Sequence, residues 1–180
     1  MKDVLKIILG CGLALALLLG AGPARADGIA TAGDVLQYAM PLTAVGLPLA
    51  NEDWDGALRF TGAFVVQGVT VLALKSVVYE TRPSGQGHES FPSGHAAVTF
   101  CSAEFLRAEY GWTYGVPAYA LAAFTAYSRV ESDAHYWRDV GAGAGIGILS
   151  SMLFTQHGRI WDISPSTDGK SFGLTFKRFW

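Results

Sequence analysis

Five long apolar segments, each rich in Ala and Leu and each ended by a short polar turn, constrain this chain more than any other feature. They cover residues 32–49, 56–79, about 93–110, 116–127 and 139–154. Such segments outrun the usual strand of about 5–6 residues, and their composition favours helix. Asn51, Glu52 and Asp53 break the chain after the first segment. Pro83 stops the second, because proline disfavours helical backbone in the residue before it. Ser93 stands just ahead of Ala96, Ala97 and Val98, where an N-cap belongs. The expected fold is all-α, a compact bundle of about five core helices with short connections. Its 180 residues, without internal repeat or low-complexity linker, make one domain.

The two ends read differently. Lys2 and Lys6, an apolar run over 4–19, and then Ala24-Arg25-Ala26 form a signal-peptide pattern over residues 1–26. An uncleaved transmembrane helix is the competing reading. The helical domain then spans 27–160 and a tail 161–180. In the tail Phe172, Leu174 and Phe176 alternate across a turn from Trp161-Asp162-Ile163, which predicts a short hairpin or extended segment. Cys11 lies in the apolar run. Cys101 is the only cysteine beyond residue 26, so it has no intramolecular partner and reads as a small buried apolar residue.

The chain is 51% hydrophobic and 16% charged, against about 25% charged residues in an ordinary soluble domain. That implies tight packing or contact with lipid. A net charge of −2 offers no basic surface for nucleic acid. Polar residues interrupt every segment, Arg59 and Gln67 among them. The expectation is an extracytoplasmic, periplasmic domain, soluble or associated with a membrane surface. The alternative is an integral inner-membrane bundle whose site faces the periplasm.

Three clusters carry chemistry. Lys75 and Arg82 are seven residues apart, about two helical turns, and would stack on one face at the end of the second helix. Two such cations repel unless an anion lies between them, and Arg can grip two phosphate oxygens at once. Taken alone, they also read as solvated cations at a helix end. Pro92-Ser93-Gly94-His95 opens a helix, where unpartnered amides and the dipole attract an anion. Gly94 would let the anion reach the backbone, Ser93 can cap or bind, and His95 can protonate a leaving oxygen. Alone this is also an ordinary capped helix. In Ser128-Arg129-x5-His135-x3-Asp139, His135 and Asp139 are spaced i,i+4. Asp139 can accept from one ring nitrogen of His135, fix its tautomer and leave the other nitrogen to attack. Alone this is also a surface ion pair.

Together, Lys75, Arg82 and Pro83; Pro92, Ser93, Gly94 and His95; and Ser128, Arg129, His135 and Asp139 resemble the three-part signature of the type 2 phosphatidic acid phosphatase superfamily. That group includes bacterial class A acid phosphatases and vanadium haloperoxidases. The resemblance spans about 56–154. It implies a phosphatase in which Lys75, Arg82 and Arg129, with Ser93 and the Gly94 amide, hold the phosphate oxygens. His135 is the implied nucleophile, forming a phosphohistidine, and His95 the general acid. Three cations replace metal ions, so neither metal nor cofactor is expected. The substrate, a phosphorylated lipid or a small phosphate ester, stays open.

Two other readings compete. A vanadate-dependent haloperoxidase would use the same anion pocket, but this chain is compact. A non-catalytic phosphate- or lipid-binding module would not need the His135–Asp139 pair. Near the motifs, His88 reads either as a substrate contact or as a solvated loop histidine, and Glu80 and Asp133 carry no assigned role. Trp112, Tyr114, Tyr136 and Trp137 fit either a headgroup belt or the bundle core.

Overall fold

In the computed structural model, residues 25–155, 161–167 and 172–178 are described; all but the last two residues of the expected signal segment lie outside them. The five predicted helices are present: α1 (Arg25–Ala50), α2 (Trp54–Val77), α3 (Gly94–Tyr110), α4 (Trp112–Glu131) and α5 (Trp137–Phe154). Local chemistry sets several boundaries. The Asp53 carboxylate accepts from the Gly56 amide at 2.8 Å and starts α2. Ser93 caps α3, its hydroxyl accepting from the Ala96 amide at 3.4 Å. Gly111, at φ +81°, separates α3 from α4 in a backbone region that glycine adopts readily. Helix α1 begins seven residues ahead of the expected start, since nothing between Asp27 and Ala32 breaks a helix. Strands β1 (Trp161–Thr167) and β2 (Phe172–Arg178) pair antiparallel with Ile163 opposite Phe176, as the alternation predicted.

Helix α3 is the axis of the bundle and touches each of the other four helices. Phe105 is fully buried on it and meets the ring of Phe60 at 5.0 Å. Cys101 is buried there without a disulfide, as expected. Helix α5 lies closest to α3. A Cβ at Gly143 would stand 2.3 Å from the Ser93 carbonyl oxygen, and one at Gly147 would stand 2.2 Å from that of Ala97. No larger residue fits this seam without moving a backbone. The contact holds the segment with Ser93 and His95 against the segment with Asp139, and the Ser93 amide donates to the Asp139 carbonyl at 3.0 Å.

Alternating helix direction gathers the motifs. At one end of the bundle, Arg129 near the end of α4 meets Asp34 near the start of α1 and His95 at the start of α3. At the other end, Arg59 near the start of α2 pairs with Glu109 near the end of α3 at 3.0 Å. The outer surface is apolar: Leu58, Val65, Val69 and Leu72 on α2, Val116 on α4, and Leu149 and Leu153 on α5 are exposed. Helix α2 is long and apolar enough to cross a membrane, with a mean hydropathy of 1.6 over its most apolar stretch.

Candidate active site

The spacing of His135 and Asp139 suggested two residues on one helical face, with a direct hydrogen bond. The structure corrects this. Helix α5 starts at Trp137, so His135 precedes it in the turn after α4. Its Nδ1 lies 3.8 Å from Asp139 Oδ2 and 2.7 Å from the backbone carbonyl oxygen of Ser90. A carbonyl only accepts, so Nδ1 carries the ring proton and Nε2 keeps its lone pair. Asp139 acts one step back. Its Oδ2 accepts from the Ser90 hydroxyl at 2.5 Å and from the Tyr136 amide at 2.9 Å, which also secures the start of α5. Ser90, fully buried, is a site residue that the motifs did not flag.

His135 itself is buried. Desolvation drives its pKa down to about 4, with the charges of Lys75 and Arg82 acting in the same direction. The Ser90 carbonyl and Asp139 oppose the shift without cancelling it. The imidazole is therefore a neutral base across ordinary pH, the state a nucleophile requires.

Lys75 and Arg82 do not stack along one helix. Helix α2 ends at Val77, where Val78 turns extended, and Arg82 lies beyond it in an irregular loop. That loop folds back through Glu80 and Glu89, whose backbones bridge. The result still joins the two cations: they line one cavity of about 520 Å³ with Gln86, Gly87, His88 and Glu89. Lys75 Nζ donates to the Glu89 carbonyl at 2.5 Å. His88 is in this cavity wall, and its Nδ1 lies 3.1 Å from Thr81 Oγ1. Glu80 forms an ion pair with Arg138.

Arg129 is buried, and its guanidinium is turned towards α1. Nη1 donates to Asp34 Oδ1 at 2.6 Å, Nη2 to the Ala30 carbonyl, and Nε to Ser128 Oγ at 3.1 Å. His95 stands on the same carboxylate, Nε2 to Asp34 Oδ1 at 2.8 Å. Ser93 is buried as the α3 cap. Gly94 has open space around it: a Cβ there would find only Val71 Cγ1, at 3.8 Å. Packing does not require glycine at that position.

The family model described as PAP2 superfamily matches residues 56–160, more than half of the chain. The chain is 31% identical to a lipid A 4'-phosphatase of Helicobacter pylori, over 94% of this chain and 98% of that protein. Its fold is similar to that of Aquifex aeolicus LpxE, with a TM-score of 0.64 at 19% identity over 78% of this chain and 91% of the other. It is also similar to a transmembrane PAP2-type phosphatidylglycerolphosphate phosphatase of Bacillus subtilis, with a TM-score of 0.57 at 23% identity over 86% and 85%. The bundle, the cations gathered at one end and these matches together place the chain in the PAP2 superfamily, as a phosphatase.

Proposed function

We propose that this phosphatase hydrolyses a phosphate monoester or diphosphate of a membrane lipid, without metal, through a phosphohistidine on His135. The observation that carries this reading is the tautomer: Ser90 holds Nδ1–H, and Nε2 is a neutral, unprotonated nucleophile. Lys75, Arg82 and Arg129, with Ser93 and the Gly94 amide, bind the non-bridging oxygens and stabilise their charge. The Nε2 lone pair attacks phosphorus in line, the bond to the leaving oxygen breaks, and His95 gives that oxygen its proton. Water then attacks phosphorus and passes a proton to His95, and the N–P electron pair returns to His135.

Two features support a lipid substrate. The relatives named above act on lipid A and phosphatidylglycerolphosphate. Beside the site, an apolar groove of about 370 Å³ runs between α1, α2 and α3, lined by Tyr38, Leu42, Phe60, Phe64 and Val98. Val98 lies one helical turn from His95, so a chain in the groove ends near the chemistry.

The same surface supports an integral membrane protein over the soluble alternative. Helix α2 is about 36 Å long at 1.5 Å per residue, enough to cross the ~30 Å hydrocarbon core. Trp54 and Trp112 are exposed at the end away from the site, and Tyr79 and Trp137 at the site end, with aliphatic side chains between them. This is the pattern of two headgroup girdles. The site end faces the periplasm in this reading.

The test is phosphate release from p-nitrophenyl phosphate and from a set of lipid phosphates by wild type and His135→Ala, with EDTA present. Release that survives EDTA, is blocked by vanadate and is lost in His135→Ala is expected. Release by His135→Ala at the wild-type rate sinks the mechanism, and loss of wild-type activity in EDTA sinks its metal independence. Halide oxidation with vanadate and peroxide would favour a haloperoxidase.

A further inference from the structure

Asp34 belongs to none of the three motifs, yet the fold sets it against two of their side chains. Its Oδ1 lies 2.6 Å from Arg129 Nη1 and 2.8 Å from His95 Nε2, and those two nitrogens lie 3.4 Å apart. The approach is built into the helix surfaces. A Cβ at Gly33 would fall 2.0 Å from Ser128 Oγ and 2.8 Å from Arg129 Nη2, so a larger residue there would displace the side chains that hold Arg129. One turn earlier the Ala30 carbonyl accepts from Arg129 Nη2. Helix α1 thus grips Arg129 with one turn of its backbone and carries Asp34 to His95.

The charges around His95 give that carboxylate a task. Burial is the largest influence against a charged His95, Arg129 on α4 and Arg82 in the loop after α2 act in the same direction, and Asp34 opposes them from α1. A general acid must hold a proton before it can give one, and neighbouring cations oppose that. A carboxylate at hydrogen-bond distance offsets them and fixes the orientation of the ring. We infer that Asp34 is a positioning residue: it orients His95 and supplies the negative charge that favours its protonated form against burial and the arginines. This rests on the general-acid role proposed for His95 above.

The requirement should show where the leaving group needs a proton. An alkoxide is a poor leaving group, whereas p-nitrophenolate departs without help. The experiment compares octyl phosphate with p-nitrophenyl phosphate across pH, using the full chain in detergent: wild type, Asp34→Asn, Asp34→Glu and His95→Ala. For Asp34→Asn, the alkaline limb of kcat/KM on octyl phosphate should move down by about one pH unit. At neutral pH that is a roughly tenfold loss. On p-nitrophenyl phosphate the loss should stay within about threefold, and Asp34→Glu should recover part of both. Equal losses on the two substrates with an unmoved limb would make Asp34 merely structural and overturn the inference. A raised kcat/KM with a lower KM would also overturn it, showing a carboxylate that competes with phosphate for Arg129. If His95→Ala discriminates between the substrates and Asp34→Asn does not, this inference alone falls. If His95→Ala does not discriminate, the acid role of His95 falls and takes the inference with it.

Discussion

His135 Nδ1 stands 2.7 Å from the Ser90 carbonyl oxygen, while Asp139, 3.8 Å from that nitrogen, accepts its hydrogen bond from the Ser90 hydroxyl instead. The carboxylate therefore bonds Ser90 and acts on the imidazole by its charge alone. Ser90→Ala keeps the carbonyl and loses the 2.5 Å bond to Asp139. A hydrogen bond to a charged group contributes about 1.5–3 kcal/mol, so kcat should fall roughly tenfold or more. Asp139→Ala also strips the Tyr136 amide of its partner and removes the charge, so it should cost more, on the order of 100-fold. Steady-state kinetics check both, and an unchanged kcat in Ser90→Ala would mean that Asp139 bonds His135 directly during turnover.

The depressed pKa of His135 has a sign that can be tested. The folded value is about 4, against 6.5 for an ordinary histidine. Between those values the unfolded chain binds the proton and the folded chain does not, so this residue's contribution to stability falls as pH drops through that window and rises as pH is raised. Carbon-labelled histidine spectra of the free protein should show His135 titrating near 4. Loss of activity between pH 5 and 7 then belongs to other groups, the substrate phosphate with its second pKa of about 6 among them. A His135 midpoint near 6.5 would contradict the burial argument.

Gly147→Ala drives a methyl against the Ala97 carbonyl, 2.2 Å from its oxygen if the backbone does not move. Overpacking of this kind costs about 1–3 kcal/mol, and the thermal midpoint in detergent should drop by several degrees, roughly 2–4 °C per kcal/mol for a chain of this size. Gly145→Ala is the matched control on α5, since a Cβ there meets nothing within 4 Å. Equal midpoints for the two variants would show that the α3–α5 seam is looser than described.

Val65 lies near the middle of α2 and is exposed. If lipid covers that face, Val65→Lys places a charge in hydrocarbon at a cost of about 2.5–3.5 kcal/mol, and less of the variant should be recovered in membranes. The wild type should stay with the membrane through an alkaline carbonate wash. Its release would return the protein to the soluble, surface-associated reading.

The helices were legible because their apolar lengths and their boundary residues, Asn51 to Asp53 and Ser93, act locally. The end of α2 was not: the helix stops at Val77 and not at Pro83, which leaves Arg82 in a loop and off the expected helical face. Ser90 was hidden for a different reason: it holds His135 with a backbone carbonyl, which any residue type could supply. Asp34 is 61 positions from His95 and 95 from Arg129, so no local motif includes it. One signal was available, since Asp34 is the only charged residue between 28 and 50. A lone carboxylate in an apolar helix is expensive unless it has a partner or a task.

The most direct test of the mechanism is to trap the intermediate. Wild-type protein is mixed with radiolabelled substrate, quenched in alkali to preserve phosphohistidine, digested and mapped by mass spectrometry. The account predicts transient, stoichiometric label on the peptide bearing His135, and none in His135→Ala. Label on another residue, or full turnover with no labelled protein at any time point, would contradict it.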